Sequence, residues 1–116
     1  MSAEERRARK LVRARSGGVC EGCGQAPATN YSHRIGRGVG GRWCPSNALD
    51  LCGSGITGCH GYVGARPKAA RDERGWRLRS TDDPLTFPVL HAVHGLVLLD
   101  ADGGFRPVEP IEDVAA

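Results

Sequence analysis

Aromatic side chains and long apolar runs are scarce in this chain, and each shortage limits what the protein can be. Only 5% of its 116 residues are aromatic, so the hydrophobic core that it can bury is modest. No apolar stretch follows the charged N-terminus, and no run of residues is apolar enough to span a membrane. We therefore expect a cytoplasmic protein without a signal peptide, a membrane-spanning segment or a membrane partner.

Glycine and cysteine are abundant instead. The chain has 17 glycines, about twice the number expected from an average usage of about 7%. Such a composition predicts a loop-rich fold that needs disulfides or a bound metal to hold it together. Cytosolic thiols stay reduced, and 5 cysteines, an odd number, fit poorly with a complete disulfide framework. A metal site is therefore favoured, with structural disulfides and unpaired core cysteines as the alternatives.

Charge is divided unevenly along the chain. Residues 1–80 carry 15 Lys and Arg against 6 Asp and Glu, whereas residues 81–116 carry 1 against 7. A basic first part suits a polyanionic partner such as nucleic acid. The alternative is that the N-terminal arginines belong to an ordinary solvated helix.

Local sequence signals predict a mixture of helices and strands. Residues 4–15 are good helix formers between Ser2, a possible N-cap, and the stop signal Gly17-Gly18. Further helical segments are predicted after Ser46, from Cys59 to Gly64, and over 68–74. Short strands are predicted at 31–35, 76–79, 88–91, 95–100 and 104–108, with a hairpin turn at Asp102-Gly103.

Two pairs of cysteines offer the ligands for a metal ion. They are Cys20 and Cys23, separated by two residues, and Cys52 and Cys59, separated by six. The first spacing is typical of a zinc knuckle, and three glycines in the longer insert let the chain return to the metal. Four such thiols can close a tetrahedral zinc site. Cys44 is an alternative to Cys52, although Pro45 directly after it restricts its backbone.

Two histidines and an asparagine lie among these cysteines: His33, Asn47 and His60. A neutral His33 is suited to remove a proton from water as a general base, although it can also simply cap or pack. Asn47 can fix the loop over His33 or orient its ring. Neighbouring helical residues point about 100° apart, so with Cys59 on the zinc, His60 faces elsewhere and can bind a second metal. The alternatives for His60 are a zinc ligand or a surface histidine.

In this order, the residues resemble an HNH endonuclease of the ββα-metal (His-Me) finger type, in the form encoded by actinobacterial phages. The segments that carry the resemblance are Cys20–Cys23, Ser32–Arg34, Gly36–Gly41, Ser46–Gly53, Gly58–Gly61, Asp83–Leu90 and Leu96–Asp100. Together they span most of the chain from residue 15 to residue 108.

The resemblance implies that His33 is the general base, Asn47 the middle asparagine and His60 a ligand of the catalytic divalent ion (Mn²⁺, Ni²⁺ or Mg²⁺). The four paired cysteines then hold a structural zinc. The implied reaction is hydrolysis of a phosphodiester in double-stranded DNA, by nicking or cleavage, leaving a 5′-phosphate and a 3′-hydroxyl. Phage proteins of this type often act with terminase in packaging, so its large subunit is an expected partner, in the host cytoplasm.

The predicted fold class is α+β: a small zinc-stapled ββα-metal finger with a basic N-terminal helix and a C-terminal β-hairpin extension. Residues 1–18 form the helix, 19–75 the finger with its zinc, 76–108 the β-rich extension, and 109–116 a disordered acidic tail.

One position departs from the family pattern. An Asp or His usually precedes the general base and also holds the ion, but here the residue is Ser32, whose hydroxyl is a weak ligand. We therefore expect weak metal binding in the absence of DNA, and better activity with Mn²⁺ or Ni²⁺ than with Mg²⁺. Five arginines are expected to bind nucleic acid: Arg9, Arg13, Arg34, Arg37 and Arg42.

Two other functions compete with the nuclease. Ser32 supports a zinc-ribbon module that binds nucleic acid without catalysis, whereas the joint presence of His33, Asn47 and His60 argues against it. A redox protein that uses Cys20 and Cys23 is disfavoured because the sequence lacks the surrounding βαβ pattern.

Overall fold

The chain forms a small α+β fold in which a cysteine-rich centre joins an N-terminal helix to a C-terminal sheet. The computed structural model describes residues 1–108, so segment 109–116 and its expected disorder lie outside the described residues. The helices are α1 (Ala3–Ser16), α2 (Gly58–Ala65) and α3 (Pro67–Asp72). The strands are β1 (Asn30–His33), β2 (Ala48–Leu51), β3 (Val89–His91), β4 (Gly95–Leu99) and β5 (Phe105–Pro107).

Helix α1 matches its prediction and extends it by one residue at each end. The Oγ atom of Ser2 accepts a hydrogen bond from the backbone N–H of Glu5 at 3.0 Å, as expected of an N-cap. Gly17 ends the helix with a φ of 64°, a left-handed conformation that glycine adopts without strain. Ala8 and Val12 are fully buried, and these two side chains dock the helix on the core.

Strands β1 and β2 pair in antiparallel register, with Asn30 opposite Leu51 and His33 opposite Ala48. The loop between them contains two short 3₁₀ turns, Arg37–Val39 and Pro45–Asn47. The prediction of a helical segment after Ser46 is wrong beyond this second turn, because the chain continues as strand β2. All four residues of β2 are buried and pair with β1, so the ladder takes the backbone groups that a helix would have used.

Helices α2 and α3 follow in succession, and Pro67 begins α3 as predicted. Strands β3, β4 and β5 then form a second antiparallel sheet, with a turn at 101–103 between β4 and β5. The strand predicted at 76–79 does not form, and only Leu78 makes an isolated parallel bridge, to Ile35. The reason is that the backbone N–H of Trp76 donates to the carbonyl of Ala70 in α3 and is not available to a neighbouring strand.

The core surrounds the cysteine-rich centre. Its members include Leu49 and Leu51 of β2, Val63 of α2, Val97 and Leu99 of β4, and Trp76, which follows α3. The ring of Trp76 lies so close to Gly22 that an added Cβ atom there would be 2.8 Å from the ring, so this position in the first cysteine pair requires glycine. Within residues 1–108, no helix is both long and apolar enough to cross a lipid bilayer.

Candidate functional site

Four cysteine side chains converge at the centre of the fold. Their Sγ atoms all lie within 4.8 Å of one another: Cys20, Cys23, Cys52 and Cys59. The sulfurs of Cys23 and Cys52 are 3.8 Å apart. Sulfurs bound at about 2.3 Å to a tetrahedral zinc ion are themselves about 3.8 Å apart, so this cysteine cluster can hold a metal ion such as zinc. Cys44 lies outside it, with its sulfur 3.2 Å from the Ser46 hydroxyl.

Backbone N–H groups point at these sulfurs. Those of Cys23 and Cys52 donate to Cys20 Sγ at 3.5 and 3.2 Å, and that of Cys59 donates to Cys52 Sγ at 3.4 Å. Burial alone would raise the pKa of Cys20, but hydrogen bonds from Cys23, Cys52 and Gly22 lower it to about 7. The fold thus favours the thiolate of Cys20, which is the form that binds a metal.

A cavity of about 270 Å³ brings His33 and His60 together. We call it the histidine cavity. Ser32, Arg37 and Arg77 also line it, and no Asp or Glu is among its lining residues. The side chains around it therefore carry positive charge and proton-accepting nitrogens, a combination that suits an anionic ligand.

His33 lies at the end of β1 and is held by aromatic contacts. The centroid of its ring is 4.4 Å from that of Trp43 and 5.2 Å from that of Tyr31, both in edge geometry. Burial, followed by the charges of Arg37 and Arg9, lowers the pKa of His33 to about 4, so the ring is neutral at pH 7. Its Nε2 is buried and finds no hydrogen-bond partner within residues 1–108.

His60 lies in the first turn of α2, directly after Cys59 of the cysteine cluster. Its backbone N–H donates to the Cys52 carbonyl at 3.0 Å, and its Nδ1 lies 3.0 Å from the carbonyl oxygen of Ser54. A proton on Nδ1 donated to that oxygen leaves Nε2 unprotonated, the arrangement typical of a histidine that binds metal. In the described part of the chain, the cysteine cluster is the one group of three or more His, Cys, Asp or Glu that can hold an ion.

Asn47 fixes the loop that follows His33. Its side chain is buried, with Oδ1 accepting from the N–H of Ile35 at 2.7 Å and Nδ2 donating to the carbonyls of Ile35 and Arg42 at 3.1 Å each. All three of these hydrogen bonds go to the backbone. Of the two roles expected for this asparagine, the structure therefore shows the positioning of the loop.

Arg9 and Arg37 are arranged around Trp43, a residue that the sequence did not mark as functional. Their guanidinium carbons lie 4.9 and 5.2 Å from the Trp43 ring centroids, and Arg9 also lies 5.2 Å from the centroid of Tyr31. Such cation–π contacts fix the faces of the two guanidinium groups. The Nε of Arg9 donates to Glu5 at 2.9 Å, and the remaining N–H groups can bind a phosphate. The signal available in the sequence was a tryptophan directly after an arginine, Arg42, a few residues from Arg37.

Two of the other expected DNA contacts are exposed side chains with acidic partners. Arg13 pairs with Asp50 at 2.8 Å, and Arg42 pairs with Glu4 at 3.3 Å. The Arg13 side chain remains 57% exposed and that of Arg42 77% exposed. Glu4 is also exposed, so Arg42 can exchange its carboxylate for a phosphate at low cost. Asp50 is only 4% exposed, so releasing Arg13 would leave a buried carboxylate with one charged partner fewer.

The prediction that Arg34 binds nucleic acid is wrong. The side chain is completely buried and its N–H groups donate to four backbone carbonyls: Gly75 at 2.8 Å, Ser46 and Pro84 at 2.9 Å each, and Phe87 at 2.7 Å. Burial lowers the pKa of Arg34 to about 9, which still keeps the group protonated at neutral pH. Arg34 thus ties the C-terminal extension to the loop after β1 and has no face left for a phosphate.

A second buried network was also missed from the sequence. Glu21, inside the first cysteine pair, accepts hydrogen bonds from Arg15 at 2.8 and 2.9 Å and lies 2.8 Å from Nε2 of His91. It also accepts from the N–H of Asp50 at 2.9 Å. Burial opposes its ionisation, but the bonds from His91 and Arg15 prevail and lower the pKa of Glu21. Partners so far apart in sequence leave no local pattern.

Comparison with protein-family models, curated proteins and solved structures gives no match for this chain.

Proposed function

We propose that the protein is a metal-dependent endonuclease that hydrolyses phosphodiester bonds in double-stranded DNA. The observation that carries this proposal is the histidine cavity, in which a neutral His33 and a potential metal ligand, His60, line one space. The order of elements supports it, since β1, β2 and α2 occur in the order of a ββα-metal finger. We therefore extend the observed α+β fold to that finger type.

In the proposed reaction, the neutral imidazole of His33 removes a proton from the attacking water. The low pKa of His33 keeps the ring neutral at neutral pH, so that one of its nitrogens can accept the proton. Asn47 holds the loop next to His33 in place through its bonds to Ile35. Arg37, fixed on the face of Trp43, offers N–H groups to a phosphate oxygen.

The catalytic ion would be held by Nε2 of His60 together with water and the substrate's own phosphate. When bound, a divalent ion supplies stabilisation of the charge that develops on the leaving 3′-oxygen. Ser32 and Tyr31 also line this cavity, and each places a hydroxyl-bearing side chain there. Because no carboxylate lines the cavity, we expect the ion to bind weakly until DNA is present.

The test is nicking of a supercoiled plasmid by the zinc-loaded protein with Mn²⁺. The wild-type protein is expected to convert the plasmid to open circles, and His33→Ala to abolish this while the protein stays folded and keeps its DNA affinity. His94→Ala is the matched control, since His94 is exposed and lies outside the cavity. Wild-type protein that binds DNA without nicking it in Mn²⁺, Ni²⁺ or Mg²⁺ would instead establish the zinc-ribbon binding module.

A further inference from the structure

We propose that Arg77 contacts the scissile phosphate in the histidine cavity, so that the C-terminal extension supplies part of the active site. The inference rests on the proposed nuclease function and adds a residue to it. Arg77 was not among the arginines that the sequence suggested for DNA contact.

The backbone on both sides of Arg77 is anchored. The N–H of Trp76 donates to the Ala70 carbonyl at 2.9 Å, and the N–H of Leu78 donates to the Arg34 carbonyl at 2.7 Å. Leu78 also forms the parallel bridge to Ile35, two residues after His33. Arg77 is therefore held beside the loop that follows β1, at the edge of the cavity.

The side chain of Arg77 is half-buried, yet it makes no hydrogen bond or ion pair with any residue from 1 to 108. Nearby Arg71 behaves differently, since it donates to Asp82 at 2.8 Å and to Asp72 at 2.9 Å. The N–H groups of Arg77 therefore have no acceptor among the described residues and are free to bind a ligand in the cavity that they line. An anion that enters the cavity would supply the missing acceptors.

The surroundings define what that anion is. Arg37 and Arg77 line the cavity together with two histidines, and the cavity has no carboxylate to neutralise them. The planar fork of a guanidinium matches two non-bridging oxygens of a phosphate. Arg37 already has one face on Trp43, so the two arginines can grip one phosphodiester between them while His33 faces the attacking water.

Glycine at position 36 gives the Arg77 guanidinium its room. A Cβ atom on Gly36 would lie 3.3 Å from Nη2 of Arg77, closer than ordinary contacts, while the backbone there has a φ of −61° that alanine also accepts. Gly36→Ala therefore crowds the guanidinium without straining the loop. This variant tests the position of the Arg77 side chain separately from its charge.

The first measurement is DNA affinity as a function of salt, by fluorescence anisotropy of a labelled duplex in EDTA-free buffer without a catalytic ion. Loss of one phosphate contact lowers the slope of log K against log salt by about 0.9. Arg77→Ala is expected to lower it by that amount and Arg77→Lys by less. Arg106→Ala, which removes an exposed charge on β5, is expected to leave the slope unchanged.

The second measurement is the single-turnover nicking rate with Mn²⁺. We expect Arg77→Ala to slow nicking about 100-fold, the scale of losing one donor to transition-state charge. Gly36→Ala is expected to slow it less, and to have no further effect in the Arg77→Ala background. A merely structural role for Arg77 would give independent effects of the two substitutions, together with a changed melting temperature.

The outcomes separate this inference from the function on which it rests. If the wild-type protein binds DNA but never nicks it, hydrolysis fails as a proposal, and the salt slope alone decides the phosphate contact. If the wild type nicks and Arg77→Ala changes neither slope nor rate, the Arg77 inference is overturned and the nuclease stands. Should Arg77→Ala fail to fold, Arg77→Gln and Gly36→Ala give the same decision.

Discussion

Glu21 and His91 share a hydrogen bond of 2.8 Å although they are 70 residues apart in the chain. The Nδ1 atom of His91 accepts N–H groups from Val93 and His94 at 3.1 and 3.3 Å, so the ring proton sits on Nε2 and is donated to Glu21. Arg15 completes the network with a side chain that is 1% exposed. One carboxylate thus ties α1 and β3 to the first cysteine pair.

The first prediction concerns this carboxylate. Glu21→Ala is expected to destabilise the zinc-loaded protein by about 3–5 kcal/mol, because it leaves the buried charge of Arg15 without a partner. Urea unfolding with zinc present measures the change. Glu73→Ala, at an exposed glutamate of the same chain, is expected to stay within about 0.5 kcal/mol of wild type. Equal stabilities for the two variants would contradict a structural role for the network.

The second prediction distinguishes the four cysteines of the cysteine cluster from Cys44. Cys59→Ser is expected to abolish stoichiometric zinc binding and cooperative unfolding, since it removes a ligand from the cysteine cluster. Cys44→Ser is expected to keep one zinc per chain, because Cys44 lies outside the cluster. Modification of the thiols releases the zinc, and a colorimetric chelator then measures the ratio of zinc to protein directly. Zinc loss from Cys44→Ser would assign the ligands differently.

The third prediction distinguishes a structural arginine, Arg34, from the arginines that we propose to contact DNA. Arg34→Met is expected to cost about 3–5 kcal/mol of stability because four backbone carbonyls lose a charged donor group. At a temperature where the variant remains folded, its salt slope for DNA binding should equal that of the wild type. A lower slope with unchanged stability would restore Arg34 as a phosphate contact.

The fourth prediction is the pH dependence of nicking at saturating Mn²⁺. The folded pKa of His33 lies below its ordinary value, so its neutral form persists as the pH falls through 6.5 and is lost only near pH 4. We expect the acid limb of the single-turnover rate to lie below pH 6. Arg37→Ala removes a positive charge that lowers this pKa, and should move the limb upward. Arg106→Ala should leave it in place.

The fifth prediction concerns the lack of a carboxylate among the residues that line the histidine cavity. Ser32 lines it, and Ser32→Asp would place an anionic ligand beside the ion that we assign to His60. The variant is expected to bind Mg²⁺ or Mn²⁺ more tightly in the absence of DNA, as isothermal titration calorimetry can measure, and to nick faster in Mg²⁺. Tight Mg²⁺ binding by the wild-type protein, or unchanged affinity in the variant, would count against weak ligation at this position.

Local signals predicted what local chemistry determines. The N-cap Ser2, the stop at Gly17 and the start of α3 at Pro67 each act within a few residues, and their elements appear where they were expected. The spacing of the cysteines likewise predicted the cysteine cluster, because two close pairs of thiols need only one loop closure to meet.

Long-range contacts explain what the sequence did not reveal. Residues 48–51 have no strong local preference, and pairing with β1 decides that they form a strand. Charge alone cannot distinguish Arg34 from Arg37, since one is buried under carbonyl oxygens of the C-terminal extension and the other lies on a tryptophan. Arg77 gains its place in the cavity only through the bridge between Leu78 and Ile35.

The position of the cysteines also sets an order of events as the chain leaves the ribosome. Cys23 and Cys52 are 29 residues apart, and the last sulfur belongs to Cys59, so the metal cannot be enclosed until the start of α2 has emerged. That same helical turn carries His60. A metal ion held by the four cysteines would therefore join the two cysteine pairs only after this point in synthesis, and the same event would fix the position of His60 relative to the cluster.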